Sequence, residues 1–348
     1  MSYKFFWFLG LLEVVRDEKA TSIPLSRILH EMVVLAWHPV CFYRLSFGVG
    51  DGLQEKVRGF QSASNLDRDT DRLAILTFLS QEQWATNELR QCVEYVPTRL
   101  LQAHFQSQLS GLPDQRKDSL TRELAVSSQK SSSPSMYWLR STEDDEIVEM
   151  NKDWTDFLTS HYSILRSFAE YHLCQYLQSK NANVPGIVNK LRAPALRRLE
   201  TARKYWADVR SAFDRSSRSG WFIDIYTSQQ IDGPFDVDHF LPWSFVAHNS
   251  LWNLTPVTDD TNSAKRDRLP RLSEHLPRLA TLHYRALQMY CLFNKHATDG
   301  RLTDYEECFN LDARSVLKLS EAEFTAKYWQ VMEPQERIAR LLGFSVFT

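Results

Sequence analysis

Asp236, Asp238 and His239 stand together in an Asp-Val-Asp-His run, and Asn253, Asn262 and Lys265 follow within the segment 235–270, FDVDHFLPWSFVAHNSLWNLTPVTDDTNSAKRDRLP. Carboxylates and amides are hard oxygen donors. One of each, Asp238 and Asn262, would hold a divalent cation such as Mg²⁺ and leave positions for water and a phosphate. Side chains alternate along a strand, so His239 points away from Asp238 and is placed to take a proton from a water attacking phosphorus. Lys265, Arg266 and Arg268 supply cations for flanking phosphates. The chemistry these residues suit is metal-assisted phosphodiester hydrolysis.

Such groups need a frame, and the flanking sequence reads as strand, strand, helix. Two β-favouring runs, 221–227 and 235–240, are separated by Asp232-Gly233-Pro234 and predict a hairpin whose second strand ends at Asp238-His239. Pro242 stops the pairing. Residues 258–268 predict a helix capped by Thr258 or Asp259, with Asn262 and Lys265, three apart, on one face. Asn253 falls in the loop between.

Elsewhere the pattern is mostly helical. The apolar start YKFFWFLGLLEVV predicts a buried helix, too short to span a bilayer and without a cleavage site, which argues against membrane insertion. SRILHEMVVLAW, 26–37, predicts a second helix capped by Ser26. The segment starting at Asp71 continues the helical pattern until Pro97. Trp154, Phe157, Leu158, His161, Leu165, Phe168 and His172 recur at spacings of three and four and predict one packed face of a long helix. The run EDDEIVEM, 143–150, reads as a solvated turn or strand edge.

Charge is informative only locally, because the net charge of the 348 residues is −2. Between Lys190 and Arg218 nine Lys and Arg face only Glu200, Asp208 and Asp214, which reads as a basic helix beside the motif, suited to phosphates. The five cysteines are widely spaced and form no CxxC pair, which argues against a zinc ribbon and a disulfide framework and for reduced thiols in a cytoplasmic protein. No P-loop and no fixed-period repeat is evident.

With Asp236, Asp238, His239, Pro242, Asn253, Asn262 and Lys265 in register, the segment resembles the HNH endonuclease, or ββα-metal nuclease, family. The likeness is to the HNH domain of RNA-guided CRISPR effectors and to stand-alone bacterial HNH proteins. The resemblance implies His239 as general base, Asp238 and Asn262 as metal ligands, Asn253 as the brace of the loop and Asp236 as an auxiliary ligand. It implies Mg²⁺, with Mn²⁺ able to substitute, and DNA as substrate. It covers some 40 to 50 residues of the chain.

The expected architecture is mainly α with an embedded ββα-metal nuclease unit. Its divisions are an N-terminal helical domain (1–126), a serine-rich linker (127–135), a helical connector with the basic stretch (136–218), the nuclease unit (219–272) and a C-terminal helical region (273–348). By family analogy the protein is the effector of a bacterial antiphage or restriction-type defence system with further subunits. The alternatives are a catalytically inactive nucleic-acid-binding or scaffold subunit and an RNA-directed toxin nuclease.

Overall fold

In the computed structural model, which describes residues 2–143, 145–195, 197–293 and 302–348, the chain divides into two compact units. The first is Met1–Ala182 with Ile187–Pro194, and the second is Asn183–Gly186 with Ala195–Thr348. Among the described residues both are mainly helical, each with one small sheet.

The first unit contains α1 (Tyr3–Glu18), β1 (Ser22–Pro24), α2 (Leu25–Trp37), α3 (Gly52–Ser64), α4 (Arg72–Gln81), α5 (Gln83–Val93), α6 (Val96–Leu101), α7 (Gln106–Leu109), α8 (Asp114–Ser128), β2 (Tyr137–Ser141), β3 (Glu146–Met150), α9 (Lys152–Ser160) and α10 (Tyr162–Lys180). α1 buries Phe6, Trp7, Leu9, Leu11, Leu12, Val14 and Val15, as its near-continuous apolar sequence requires. It packs so closely on α2 that a Cβ on Gly10 would lie 3.1 Å from the Ile28 carbonyl oxygen.

Several local expectations change here. Ser26 does not cap α2: the helix starts at Leu25 behind Pro24, and the Ser26 hydroxyl donates to Asp145 instead. The acidic run contributes the central strand of its sheet, ordered β1-β3-β2, because Val148 and Met150 alternate inward; Asp144 lies outside the described residues. The serine-rich run 127–135, read as a linker, lies within the first unit. Ser128, Gln129 and the buried Ser135 knit it into hydrogen bonds that join the end of α8 to β2. The predicted long helix after it breaks at His161, and Phe157 and Phe168 of its aromatic face are exposed.

The second unit contains α11 (Glu200–Arg215), β4 (Asp236–His239), α12 (Trp243–Val246), β5 (Leu254–Val257), α13 (Asp259–Lys265), α14 (Leu272–Phe293), α15 (Thr303–Phe309), α16 (Ala313–Lys318) and α17 (Glu321–Leu341). α11 buries Tyr205, Trp206, Val209, Ala212 and Phe213 at helical spacing and packs on β4 and α14. α17 opens with a Ser320/Glu323 capping box and packs on α14 and α15.

The predicted hairpin between 221–227 and 235–240 does not form. β4 pairs antiparallel with β5, and residues 221–227 contribute only the bridge Ile223 to Gln230. The reason is Asp224, whose Oδ1 accepts from the Tyr226 and Thr227 amides and turns the chain where a strand would continue.

Candidate active site

β4 and β5 lie in a register that sets Asp236 opposite Val257, Asp238 opposite Thr255 and His239 opposite Leu254. α13 follows directly, capped as expected by Thr258, whose hydroxyl oxygen accepts from the Thr261 amide. The cap is itself anchored: the Thr258 amide donates to Asp224 Oδ2 at 3.1 Å. The helix is shorter than the predicted 258–268 because Arg266 takes a positive φ of 51° and ends it.

Strand alternation puts Asp236 and Asp238 on one face of β4, and α13 meets that face with Asn262 and Lys265. Asn262 Nδ2 donates to Asp236 Oδ2 at 3.2 Å, and Lys265 Nζ stands 2.9 Å from Asp238 Oδ2. The two pairs differ in surroundings. Asp236 and Asn262 are half-buried, whereas Asp238 is 7% exposed and Lys265 0%.

Lys265 therefore does not fit the phosphate-holding position expected of it. Its ammonium also donates to the His239 carbonyl oxygen at 2.8 Å and faces the Tyr226 ring. Packing turned a residue that is normally exposed into an internal tie between strand and helix. Tyr226 donates its hydroxyl to Asp238 Oδ2 at 3.0 Å. Burial raises the Asp238 carboxyl above its ordinary range, with Lys265 and Tyr226 acting in the opposite direction.

His239 points the other way, as alternation predicts, and is 4% exposed. Its Nε2 lies 3.0 Å from Asn249 Oδ1. Burial lowers its pKa to about 3, with the nearby Arg197 and Lys265 charges adding to the effect, so the ring is neutral near pH 7. Asn253 sits fully buried at the base of the loop. Its Oδ1 accepts from the Leu241 amide at 2.8 Å and its Nδ2 donates to the Leu241 carbonyl at 2.9 Å, so one side chain supplies both bonds of a missing strand pair. His248 is half-buried, and its Nδ1 accepts from the Ser250 amide.

The basic stretch is not one continuous helix. Lys190 is buried and Arg192 pairs with Glu170, both in the first unit. In the second unit Lys204 pairs with Asp208, Arg210 donates to the Asp232 and Gly233 carbonyls, and Arg215 and Arg218 lie over Phe293 and Trp221. Arg203 reaches the site, 3.7 Å from Asp236 with its side chain 56% exposed, and the charge of Arg197 acts on His239. Arg266 is exposed, while Arg268 is half-buried over Phe347.

The face of β4 that meets α13 carries the carboxylates of Asp236 and Asp238, with the Asn262 amide against Asp236, and two carboxylates and an amide are residue types that suit a hard divalent cation. Among the described residues there is no cluster of three His, Cys, Asp or Glu. The third donor here is an amide.

Three participants carry no functional mark in the sequence: Asp224, Tyr226 and Asn249. An Asp followed by Ile-Tyr-Thr-Ser carries a turn signal inside a run otherwise read as a strand, and it is the available clue to the first two. Asn249 carries no such signal, whereas Arg203 belongs to the basic stretch beside the motif.

Residues 224–271 match the family model for HNH endonuclease, which supports an HNH-family assignment for this segment and suggests nuclease activity. The match includes Asp224 and Tyr226 as well as every residue from Asp236 to Arg268 discussed above. No curated protein and no solved structure matches the chain.

Proposed function

We propose that the protein is a metal-dependent endonuclease that hydrolyses DNA phosphodiester bonds, with β4, β5 and α13 as a ββα-metal frame. The observation that carries this reading is that α13 meets the Asp236 and Asp238 face of β4, with Asn262 against Asp236 and Lys265 against Asp238, while the neutral His239 ring lies on the other face at the strand's end. Asp238 and Asn262 would hold Mg²⁺ or Mn²⁺, with Asp236 as auxiliary donor. The bound ion would offset negative charge developing on the phosphate oxygens.

His239 takes the proton of the attacking water. Asn253 holds the loop that carries Asn249 against the strand end. Lys265 fixes the Asp238 carboxylate and the His239 backbone together. Arg203 and Arg266, both exposed on this unit, would hold flanking phosphates. The cellular setting, as the cytoplasmic effector of a bacterial antiphage or restriction-type system with partner subunits, rests on the family resemblance alone.

The test is relaxation of supercoiled plasmid by the purified chain in Mg²⁺, Mn²⁺ and EDTA, with His239→Ala alongside. The expected outcome is metal-dependent nicking that EDTA abolishes and the substitution lowers by roughly 10²–10⁴-fold. Equal nicking by His239→Ala would overturn the assignment of the base. Plasmid retardation without cleavage would favour a binding subunit, and preferential loss of total RNA offered in the same buffer would reassign the substrate.

A further inference from the structure

Asn249 lies half-buried in the loop between α12 and β5, and both ends of its amide are engaged. Nδ2 is 3.4 Å from the Arg198 carbonyl oxygen and Oδ1 is 3.0 Å from His239 Nε2. A backbone carbonyl oxygen only accepts, so the amide end facing Arg198 must be the nitrogen. That leaves the amide oxygen facing the ring, and an amide oxygen also only accepts. The ring nitrogen it meets must then carry the hydrogen. A neutral imidazole has one N–H, so Nδ1 holds the free electron pair.

We propose that Asn249 is a positioning residue that holds His239 as the Nε2–H tautomer, leaving Nδ1 as the atom that receives the proton, and that the Arg198 carbonyl sets the direction of the Asn249 amide. The inference rests on the reading of His239 as base. In the reaction, one water O–H bond breaks as Nδ1–H forms, and the oxygen's electron pair makes the new bond to phosphorus. The old P–O pair leaves with the departing oxygen, which takes a proton from solvent, and the doubly protonated ring later returns its proton to solvent. Throughout, Nε2–H keeps the same acceptor, so the ring need not turn between its neutral and charged forms. His239's own backbone is fixed independently by Lys265, which confines the role of Asn249 to the ring.

The experiment is long-range ¹H–¹⁵N correlation of the histidine rings in the full-length protein at pH 7.5, with the His239 signals assigned by their loss in His239→Ala. The wild type is expected to show the Nε2–H pattern, Asn249→Asp to retain it because a carboxylate also accepts, and Asn249→Ala to show a mixture of tautomers. In the plasmid assay Asn249→Ala should lower kcat by ~10–100-fold with KM little changed, and Asn249→Asp should recover part of the loss. A wild-type ring protonated on Nδ1 would overturn the proposal, and so would an unchanged spectrum in Asn249→Ala. If Asn249→Ala does not fold, the wild-type and Asn249→Asp spectra decide. Because the spectra read the tautomer without cleavage, absence of nicking in the wild type would count against the nuclease reading and not against this one.

Discussion

Lys265 and Asp238 form an ion pair across the strand and helix, with Nζ and Oδ2 2.9 Å apart and both side chains shielded from solvent. Each charge lost its hydration on folding, and the geometry compensates with the Tyr226 hydroxyl on the carboxylate and the His239 carbonyl on the ammonium. The pair is thus a structural element and a part of the site at once.

Removing one partner strands the other. Lys265→Met should destabilise the second unit by about 3–5 kcal/mol, since the carboxylate stays buried with only neutral donors, the Tyr226 hydroxyl and the His239 amide. Adding Asp238→Asn to that background should restore part of the loss, because the uncompensated charge is gone. Urea unfolding of the two variants and their parent checks this. A Lys265→Met midpoint equal to wild type would refute the buried pair.

At the half-exposed edge the balance is different. Asp236→Ala and Asn262→Ala should change stability by no more than about 1 kcal/mol, as surface substitutions usually do, yet weaken Mn²⁺ binding measured by calorimetry. Unchanged Mn²⁺ affinity in both would remove these residues from the proposed ligand set.

Asn253 has a single side chain doing the work of two backbone groups. Asn253→Ala leaves the Leu241 N–H and C=O without partners in a buried place, at a cost of about 2–4 kcal/mol. Asn253→Asp keeps the acceptor and loses the donor, so its midpoint should fall between the two. A thermal or urea midpoint for Asn253→Ala close to wild type would show that the loop does not depend on this brace.

Acid should weaken the second unit through a buried histidine away from the site. His283 is fully buried, its Nδ1 2.6 Å from the Tyr305 hydroxyl, and burial lowers its pKa to about 3. Unfolded, the same ring titrates near 6.5. Above that pH both states are neutral and the group has no effect; below it the unfolded state binds a proton that the folded state refuses. Stability is therefore lost as pH falls from about 6.5 towards 3, by about 2 kcal/mol for this residue at pH 5. Urea midpoints at pH 7.5 and 5.0 should show a smaller drop in His283→Gln than in wild type, and equal drops would contradict this account.

The site was largely legible because its chemistry is concentrated in few residues of chain. Asp236, Asp238, His239, Asn253 and Asn262 could be picked out by type and spacing, and the structure does bring Asp236 to Asn262 and Asn253 to the loop base. The residues that hold them were less legible. Asn249 bears no mark of its own, because an asparagine in a loop is ordinary until its two partners are known. Lys265 departs from its expected exposed role because sequence cannot say which lysine a packed face will enclose. The hairpin was misplaced because alternation identifies strands and not their partners, and Asp224 spends its carboxylate on a turn. The same limit applied to Phe157 and Phe168, where periodicity marked an apolar face and could not say whether anything covers it.

The polar links from β4 to the loop that follows it and to α13 join residues only 10 to 27 positions apart, from His239 with Asn249 to Lys265 with Asp238. The support that encloses it comes from much further along the chain: the α17 residue Tyr328 donates to the Trp252 carbonyl from 76 positions away. Short loops close at low entropic cost and form quickly, so the order of assembly during folding is written into these separations. A ribosome that has released residue 270 has already delivered every partner in the site's polar network, while α14 to α17, which complete its enclosure, are still to be made.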